Sequence, residues 1–178
     1  MKDTKVMKYG PITKKIIKWL EKKGWEERPE LTNNKDLANV AFRFAAGGEF
    51  GLNCMLMADE SAARMLTMIA TPDFSIPEPN IDDVRKFCGH FRKKYGNIYV
   101  MEEGVLNYIH SRSIDSFKKD IDDVPTEIEN MINEMDEYIT WLVHYIVDIS
   151  NGVKEVKQCI KQAEKKIPPS YIPEMENG

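Results

Sequence analysis

The chain has 178 residues, 42% of them hydrophobic and 30% charged, so it can bury one sizeable core within the usual length of a single domain. A formal net charge of −4 and an isoelectric point near 5.5 argue against nucleic-acid binding, which normally requires a clustered basic surface. No segment approaches the ~20 apolar residues that a membrane span requires, and the N-terminus lacks the apolar core of a signal peptide. We therefore expect a cytoplasmic protein with no nucleic-acid or membrane partner.

Cysteine usage fits the same compartment. The cysteines are an odd number at wide spacings, and no CxxC pair indicates a zinc or redox site. Reduced thiols are the rule in the cytosol. The three residues are Cys54, Cys88 and Cys159.

The first predicted element is an amphipathic helix. Gly10 and Pro11 are typical of a helix start, and Gly24 is typical of a helix end. Between them, apolar residues recur at helical spacing: Ile12, Ile16, Trp19 and Leu20.

Short aromatic and β-favouring stretches follow, and the turn residues between them indicate strands. Gly47 and Gly48 suit a tight hairpin turn, and Pro72 ends the last of these strands. The predicted strands cover residues 25–28, 40–46, 50–58 and 64–70.

A second amphipathic helix is predicted over residues 81–95, where apolar residues form one stripe that Gly96 and Asn97 end. A second hairpin follows it. Its strands are predicted at residues 98–101 and 105–112, and its turn at 102–104.

The third helix, predicted to begin at Thr126, carries the clearest pattern in the chain, because apolar residues alternate by four and three positions up to Ile167. The apolar stripe is wide before Gly152, which can kink or break the helix, and narrow beyond it. We therefore predict an α+β domain over residues 1–150 and a C-terminal helical extension and tail over residues 151–178. The narrow seam should meet another helix, either within the chain or from a second copy. From Tyr171 onwards we expect a loose tail.

No catalytic or metal site is predicted. The histidines His90, His110 and His144 fall in different elements without a second ligand at matching spacing, whereas metal sites need three or four converging ligands. Cys88 belongs to an apolar stripe, and no serine lies in a recognisable nucleophile motif. No nucleotide-binding fingerprint is present. We therefore expect neither an enzyme nor a bound cofactor.

One alternative stays open. The protein could be a small-molecule-binding domain or an enzyme whose site is assembled from dispersed residues, for example His110, Arg112 and Glu102 around the second hairpin. A cavity of roughly a few hundred cubic ångströms with converging polar groups would favour this alternative.

Methionine is the compositional oddity, with ten residues. Flexible thioethers suit surfaces that accept several partners. Together with the narrow seam, they give the candidate partner-binding residues Val153, Val156, Ile160, Ile167, Met55 and Met57.

The order of these elements resembles the YbjN family. The resemblance is carried by the opening residues Ile12, Ile16, Ile17, Trp19 and Leu20 with Gly24 and Trp25, and by the helix at 81–95 with the strand from Gly96 to Val100. It covers about residues 10–150 and implies a type III secretion chaperone-like fold, in which a twisted antiparallel sheet of about five strands is flanked by helices, often in a dimer. It also implies a function in partner binding or regulation, and it supplies no catalytic residue.

The sequence thus predicts an α+β protein with a long C-terminal helix that acts as a non-catalytic protein-binding module, chaperone-like or regulatory. Its expected partner is a protein client or a second copy of itself, and its expected state is a homodimer.

Overall fold

The computed structural model describes residues 10–24, 26–27, 37–46, 49–60, 62–116 and 124–174, with only the backbone described at 26–27 and 37–46. Six strands and four α-helices form in this part of the chain. The strands are β1 (Glu26–Glu27), β2 (Leu37–Ala46), β3 (Phe50–Asp59), β4 (Met65–Pro72), β5 (Gly96–Val100) and β6 (Leu106–Ser113). The helices are α1 (Pro11–Lys22), α2 (Ile81–His90), α3 (Val124–Ser150) and α4 (Val156–Ala163). The predicted α+β class is confirmed.

The strands form one antiparallel sheet in the order β1-β2-β3-β4-β6-β5, which leaves β5 at an edge. One of the six strands, β1, has only two residues. The strand pairs of both predicted hairpins, β2 with β3 and β5 with β6, are present. The predicted turn at Gly47 and Gly48 lies outside the described residues.

Helix α1 begins against the end of β3. The amides of Ile12 and Thr13 donate to the two carboxylate oxygens of Glu60 at 3.1 and 2.9 Å. A carboxylate in this position satisfies unpaired amides of the first turn and interacts favourably with the helix dipole. Gly10 allows the approach, because a Cβ atom there would overlap the Glu60 carboxylate. Side-chain packing and this long-range contact together fix where α1 starts.

The helices cover one face of the sheet. Alternate residues of β3, β4 and β6 point to this covered face and are almost fully buried: Leu52, Leu56, Leu66, Met68, Leu106 and Tyr108. Buried apolar residues of all four helices belong to the same core cluster. Since full burial of one such aliphatic side chain contributes about 1.5–3 kcal/mol, this layer is the main source of stability.

Helix α3 supplies much of that layer but ends before the seam does. Gly152 adopts a φ of +65°, and its amide donates to the Ile149 carbonyl at 3.0 Å. The next amide, of Val153, donates to the Asp148 carbonyl at 2.8 Å. This pair of bonds around a left-handed glycine is the Schellman ending of a helix. The long helix predicted up to Ile167 is therefore two helices. None of the helices in the described residues is both long and apolar enough to cross a bilayer.

The second half of the seam turns back onto the protein. Helix α4 packs against α2 and α3, and its Cys159 and Ala163 are fully buried. Trp141 Nε1 donates to the Ala163 carbonyl at 3.1 Å. Of the two partners considered for the narrow seam, a helix within the chain is the one observed for α4. Residue 150, where the extension was predicted to begin, is the last residue of α3, and α4 beyond it packs into the same core cluster.

Helix α2 is shorter than predicted. It ends at His90, and Phe91 has already left the helical conformation. Tyr95 is therefore outside the helix, and the intervening Lys93 forms an isolated antiparallel bridge with Pro173. The apolar stripe continued past the helix end because Phe91 still packs into the core.

The tail is held rather than loose over the residues described. The Tyr171 ring stacks on Tyr138 with centroids 6.2 Å apart and meets Trp141 edge-on at 5.0 Å. Its hydroxyl donates to the Arg92 carbonyl at 3.0 Å. The tail therefore belongs to the folded domain as far as Glu174.

Candidate functional site

The face of the sheet opposite the helices is the first candidate. Alternate residues of three neighbouring strands point to it, and we call this set the open face: Asn53, Met55, Met57, Asp59, Met65, Thr67, Ile69, Thr71, Asn107, Ile109, Ser111 and Ser113. All but Asn53 are partly buried by their neighbours. None belongs to the core cluster that contains the buried apolar residues of all four helices.

The centre of the open face is apolar. Met55 on β3 is directly opposite Ile69 on β4, and Ile69 is opposite Ile109 on β6. Cross-strand neighbours on one face lie about 4.5–5.5 Å apart at Cβ, so the three side chains form a continuous row. Met57 and Met65 extend this surface along β3 and β4.

Uncharged polar pairs flank the row on both sides. The hydroxyls of Thr67 and Ser111 lie 3.0 Å apart, and Thr71 Oγ1 donates to Asn107 Oδ1 at 2.6 Å. These groups satisfy each other within the sheet. The one ionisable member of this set is Asp59 at the end of β3, opposite Met65, and its carboxylate accepts hydrogen bonds from the amides of Ala62 and Ala63 at 3.0 Å.

The six predicted partner-binding residues separate into three groups. Met55 and Met57 lie side by side on the open face. Val156 and Ile160 are partly buried and pack against the protein's own core cluster, so helices within the chain contact that part of the seam. Their role in partner binding stays a prediction. Val153 and Ile167 are exposed, by 66% and 51%, on either side of α4.

Sequence reasoning missed the two isoleucines that complete the apolar row, Ile69 and Ile109. Both alternate with buried residues in their strands, which is a signal of a second apolar face. The alternation does not reveal the register, and only the pairing of β4 with β3 and β6 brings them beside Met55.

A buried polar cluster on the covered face is the second candidate. His110 on β6 is fully buried, and Lys93, just after α2, is 3% exposed. Both approach the same oxygen of Glu134 on α3: His110 Nε2 at 3.6 Å and Lys93 Nζ at 3.8 Å from Oε2. Neither nitrogen has a hydrogen-bond partner among the described residues. Arg112 holds the other Glu134 oxygen and also binds Glu127.

Burial dominates the electrostatics of this cluster. Burial, followed by the positive charges of Arg112 and Lys93, lowers the pKa of His110 to about 3. His110 is therefore neutral near pH 7, and the hydroxyl of Tyr108 lies 3.2 Å from its Nδ1. Burial also lowers the pKa of Lys93, while the Glu134 carboxylate opposes that shift.

The cluster corrects the trio of the alternative hypothesis. His110 and Arg112 do point into one cluster, but Glu102 lies in the exposed turn before β6, at the other end of that strand. Glu134 and Glu127, from α3, supply the carboxylates instead. Glu134 lies 22 residues and Glu127 lies 15 residues after Arg112, so no local sequence pattern indicates that they meet.

The remaining reactive side chains lie apart. His90 is exposed and its Nε2 lies 2.9 Å from Glu164 Oε1, whereas His144 packs edge-on against Phe50. The three cysteines are buried and form no disulfide, and burial raises the pKa of Cys54 and of Cys88 to about 12. Over the ranges that the structure describes, no group of three or more His, Cys, Asp or Glu side chains is placed to hold a metal ion.

Comparison with known proteins assigns no role to the open face or to the buried polar cluster. The resemblance to the YbjN family stays an expectation from the sequence. No family model matches the chain, and no curated protein or solved structure matches it at a significant level.

Proposed function

We propose that this protein is a non-catalytic protein-binding module, chaperone-like or regulatory, that acts in the cytoplasm and pairs with a second copy of itself through the open face. The observation that carries the proposal is the apolar row of Met55, Ile69 and Ile109, which is flanked by uncharged polar pairs.

Charge supports a second copy as the occupant. In a symmetric pair the same surface meets itself, so any charged group near the axis would face a like charge. The centre of the open face avoids this cost, because the polar pairs beside the apolar row, Thr67 with Ser111 and Thr71 with Asn107, already bond to each other. The carboxylate of Asp59 lies at the end of β3 and is bonded to the amides of Ala62 and Ala63. Burial of the centre leaves no unpaired charge.

The shape of the surface supports the same occupant. Two sheets stack face to face at about 10 Å when side chains of both inner faces interdigitate. Methionine adapts to irregular gaps in such a layer, and Met55, Met57 and Met65 are all on this face. A face-to-face pair would bury the apolar row of both copies.

The test places a charge in the middle of the row. We expect Ile69→Lys to raise the dimer dissociation constant by at least about 100-fold, because the ammonium would be desolvated without a partner. Analytical ultracentrifugation over a wide concentration range measures this constant. Circular dichroism and urea unfolding check that the variant is folded.

The matched control is Ile167→Lys, the same substitution on the exposed residue beyond α4. It should leave the dissociation constant unchanged. A wild-type protein that stays monomeric at high concentration would refute the proposal, and so would a larger effect of Ile167→Lys than of Ile69→Lys.

A further inference from the structure

A cavity of about 390 Å³ lies between α2 and the edge strand β5. Its charged lining residues are Arg85 and Arg92 from α2 and its extension, and Glu174 from the C-terminal tail. Asn97, Cys88 and Ile98 also line it, and all three are largely buried. The cavity lies at the β5 edge of the sheet, where Asn97 is paired with Ile109, and none of its lining residues belongs to the apolar row itself.

The structure already places a carboxylate in this cavity. Glu174 Oε1 accepts a hydrogen bond from Asn97 Nδ2 at 3.3 Å, and Glu174 Oε2 lies 3.7 Å from Arg92 Nη1. Asn97 is buried and its orientation is fixed, because its Oδ1 accepts from the Lys93 amide at 2.8 Å. The amide donor therefore points at the carboxylate for a reason independent of Glu174.

Arg85 is also preorganised. Its Nε donates to the Val100 carbonyl at 3.1 Å, and its Nη1 lies 3.3 Å from Asp82. These contacts hold one guanidinium at the β5 wall, while Arg92 supplies another. Two guanidinium groups and an oriented amide offer more hydrogen-bond donors than the carboxylate of one glutamate can accept from.

Backbone hydrogen bonds of the tail, rather than a strong ion pair, hold Glu174 at the cavity. Lys94 N donates to the Ile172 carbonyl at 2.9 Å, and Glu174 N donates to the Arg92 carbonyl at 3.1 Å. The Arg92 and Glu174 side chains are 65% and 44% exposed, so their attraction is strongly screened by water. Tyr171 and these backbone bonds hold the tail by contacts that do not involve the Glu174 carboxylate.

We propose that this cavity is a binding site for a small organic carboxylate, and that Glu174 occupies it as an internal competitor. The ligand carboxylate replaces that of Glu174 at Arg92 and Asn97, and its hydrocarbon part lies against Cys88 and Ile98. Cys88 serves as an apolar contact, since burial raises its pKa to about 12 and keeps the thiol protonated.

Glutarate is the probe, because it carries the same propionate group as a glutamate side chain. We expect wild-type protein to bind it weakly, and Glu174→Gln to bind it about three- to ten-fold more tightly, as expected for removal of a screened internal ion pair. Arg92→Gln in the Glu174→Gln background should abolish the gain. Calorimetric titration measures the affinities, and amide shifts of Asn97 and Ile98 in NMR spectra locate the ligand.

Lys86→Gln is the control, because it removes one positive charge from the same helix at a residue paired with Asp83 and outside the cavity. It should leave glutarate affinity unchanged. Equal affinities of wild type and Glu174→Gln would refute the competitor role, and equal losses in Lys86→Gln and Arg92→Gln would refute the site. Tighter binding of inorganic phosphate than of glutarate, or binding only of a peptide with the tail sequence Ile172–Pro173–Glu174, would overturn the small carboxylate as ligand.

This outcome is separable from that of the proposed function. The variants Glu174→Gln and Arg92→Gln should not change the dimer dissociation constant, and Ile69→Lys should not change glutarate affinity.

Discussion

The two faces of the same strands differ in how completely they are buried, although both carry large apolar side chains. On β4, Met68 on the covered face has no exposed surface, whereas its neighbour Ile69 on the open face is only partly buried. The covered face also contains charged groups that are held in a network, whereas the apolar row at the centre of the open face is uncharged. An apolar strand residue is therefore a core residue on one side and a contact surface on the other, and the helices decide which.

The largest expected difference between the faces is in side-chain truncation. Met68→Ala should lower the free energy of unfolding by about 2–5 kcal/mol, because it leaves a cavity in a close-packed layer. Met57→Ala, the same change on the open face, should cost less than about 1 kcal/mol in the monomer. Urea unfolding at protein concentrations below dimer formation measures both. Equal losses would mean that the open face is part of the core.

Acid should destabilise the covered face through His110. The unfolded chain takes up this proton with the usual pKa of 6.5, and the folded protein takes it up only near 3, so the unfolded state holds more protons in between. Stability should therefore fall as the pH falls from 6.5 towards 3, with a contribution of up to about 1.4 kcal/mol per pH unit. Between pH 6.5 and 5, where carboxylates are mostly ionised, this should amount to about 2 kcal/mol.

His110→Gln isolates this contribution, since glutamine does not titrate. The difference in unfolding free energy between wild type and variant should change with pH in the stated direction. A difference that is independent of pH would show that His110 titrates normally and that the network of Glu134, Arg112 and Lys93 does not exclude its charged form.

The helical layer that covers the sheet depends on the reversal after α3. Gly152→Ala should cost about 1 kcal/mol, because an alanine at a φ of +65° is strained. Gly89→Ala is the control inside α2. A Cβ atom there would meet nothing within 4 Å, so the alanine should stabilise the helix by up to about 1 kcal/mol. Thermal unfolding monitored by circular dichroism compares the two. Two substitutions with the same sign would contradict the assigned helix ending.

The smallest effect is expected at the polar margin of the open face. Thr67→Val removes one hydroxyl of the Thr67–Ser111 pair at a position that water can reach, so the monomer should change by less than about 0.5 kcal/mol. The free-energy cost of Thr67→Val in the dimer shows whether the Thr67–Ser111 pair becomes buried at the interface. A cost well above 1 kcal/mol in the monomer would show that the Thr67–Ser111 pair is already shielded from water without a partner.

The sequence located most elements because their signals are local. The Gly10–Pro11 start and the Gly24 end bracket α1, and both hairpin strand pairs follow their predicted stretches. The end of α2 was misplaced by the apolar Phe91 and Tyr95, which continue the helical spacing after the helix has ended. Of the candidate site, Met55 and Met57 were named, but Ile69, Ile109 and the Lys93–Glu134 contact depend on strand register and helix placement.

By itself, the sequence determined the alternation of helices and strands, the apolar seam with its interruption at Gly152, and the lack of a recognisable catalytic motif, because each is written in residues a few positions apart. Only the tertiary structure decided that α4 folds back onto α2 and α3, that Glu174 reaches Asn97 from the far end of the chain, and that the helices in the described ranges all pack into one core on the same face of the sheet. These outcomes depend on contacts between residues far apart in sequence, and the periodicity of a segment states that it must be buried without stating against what.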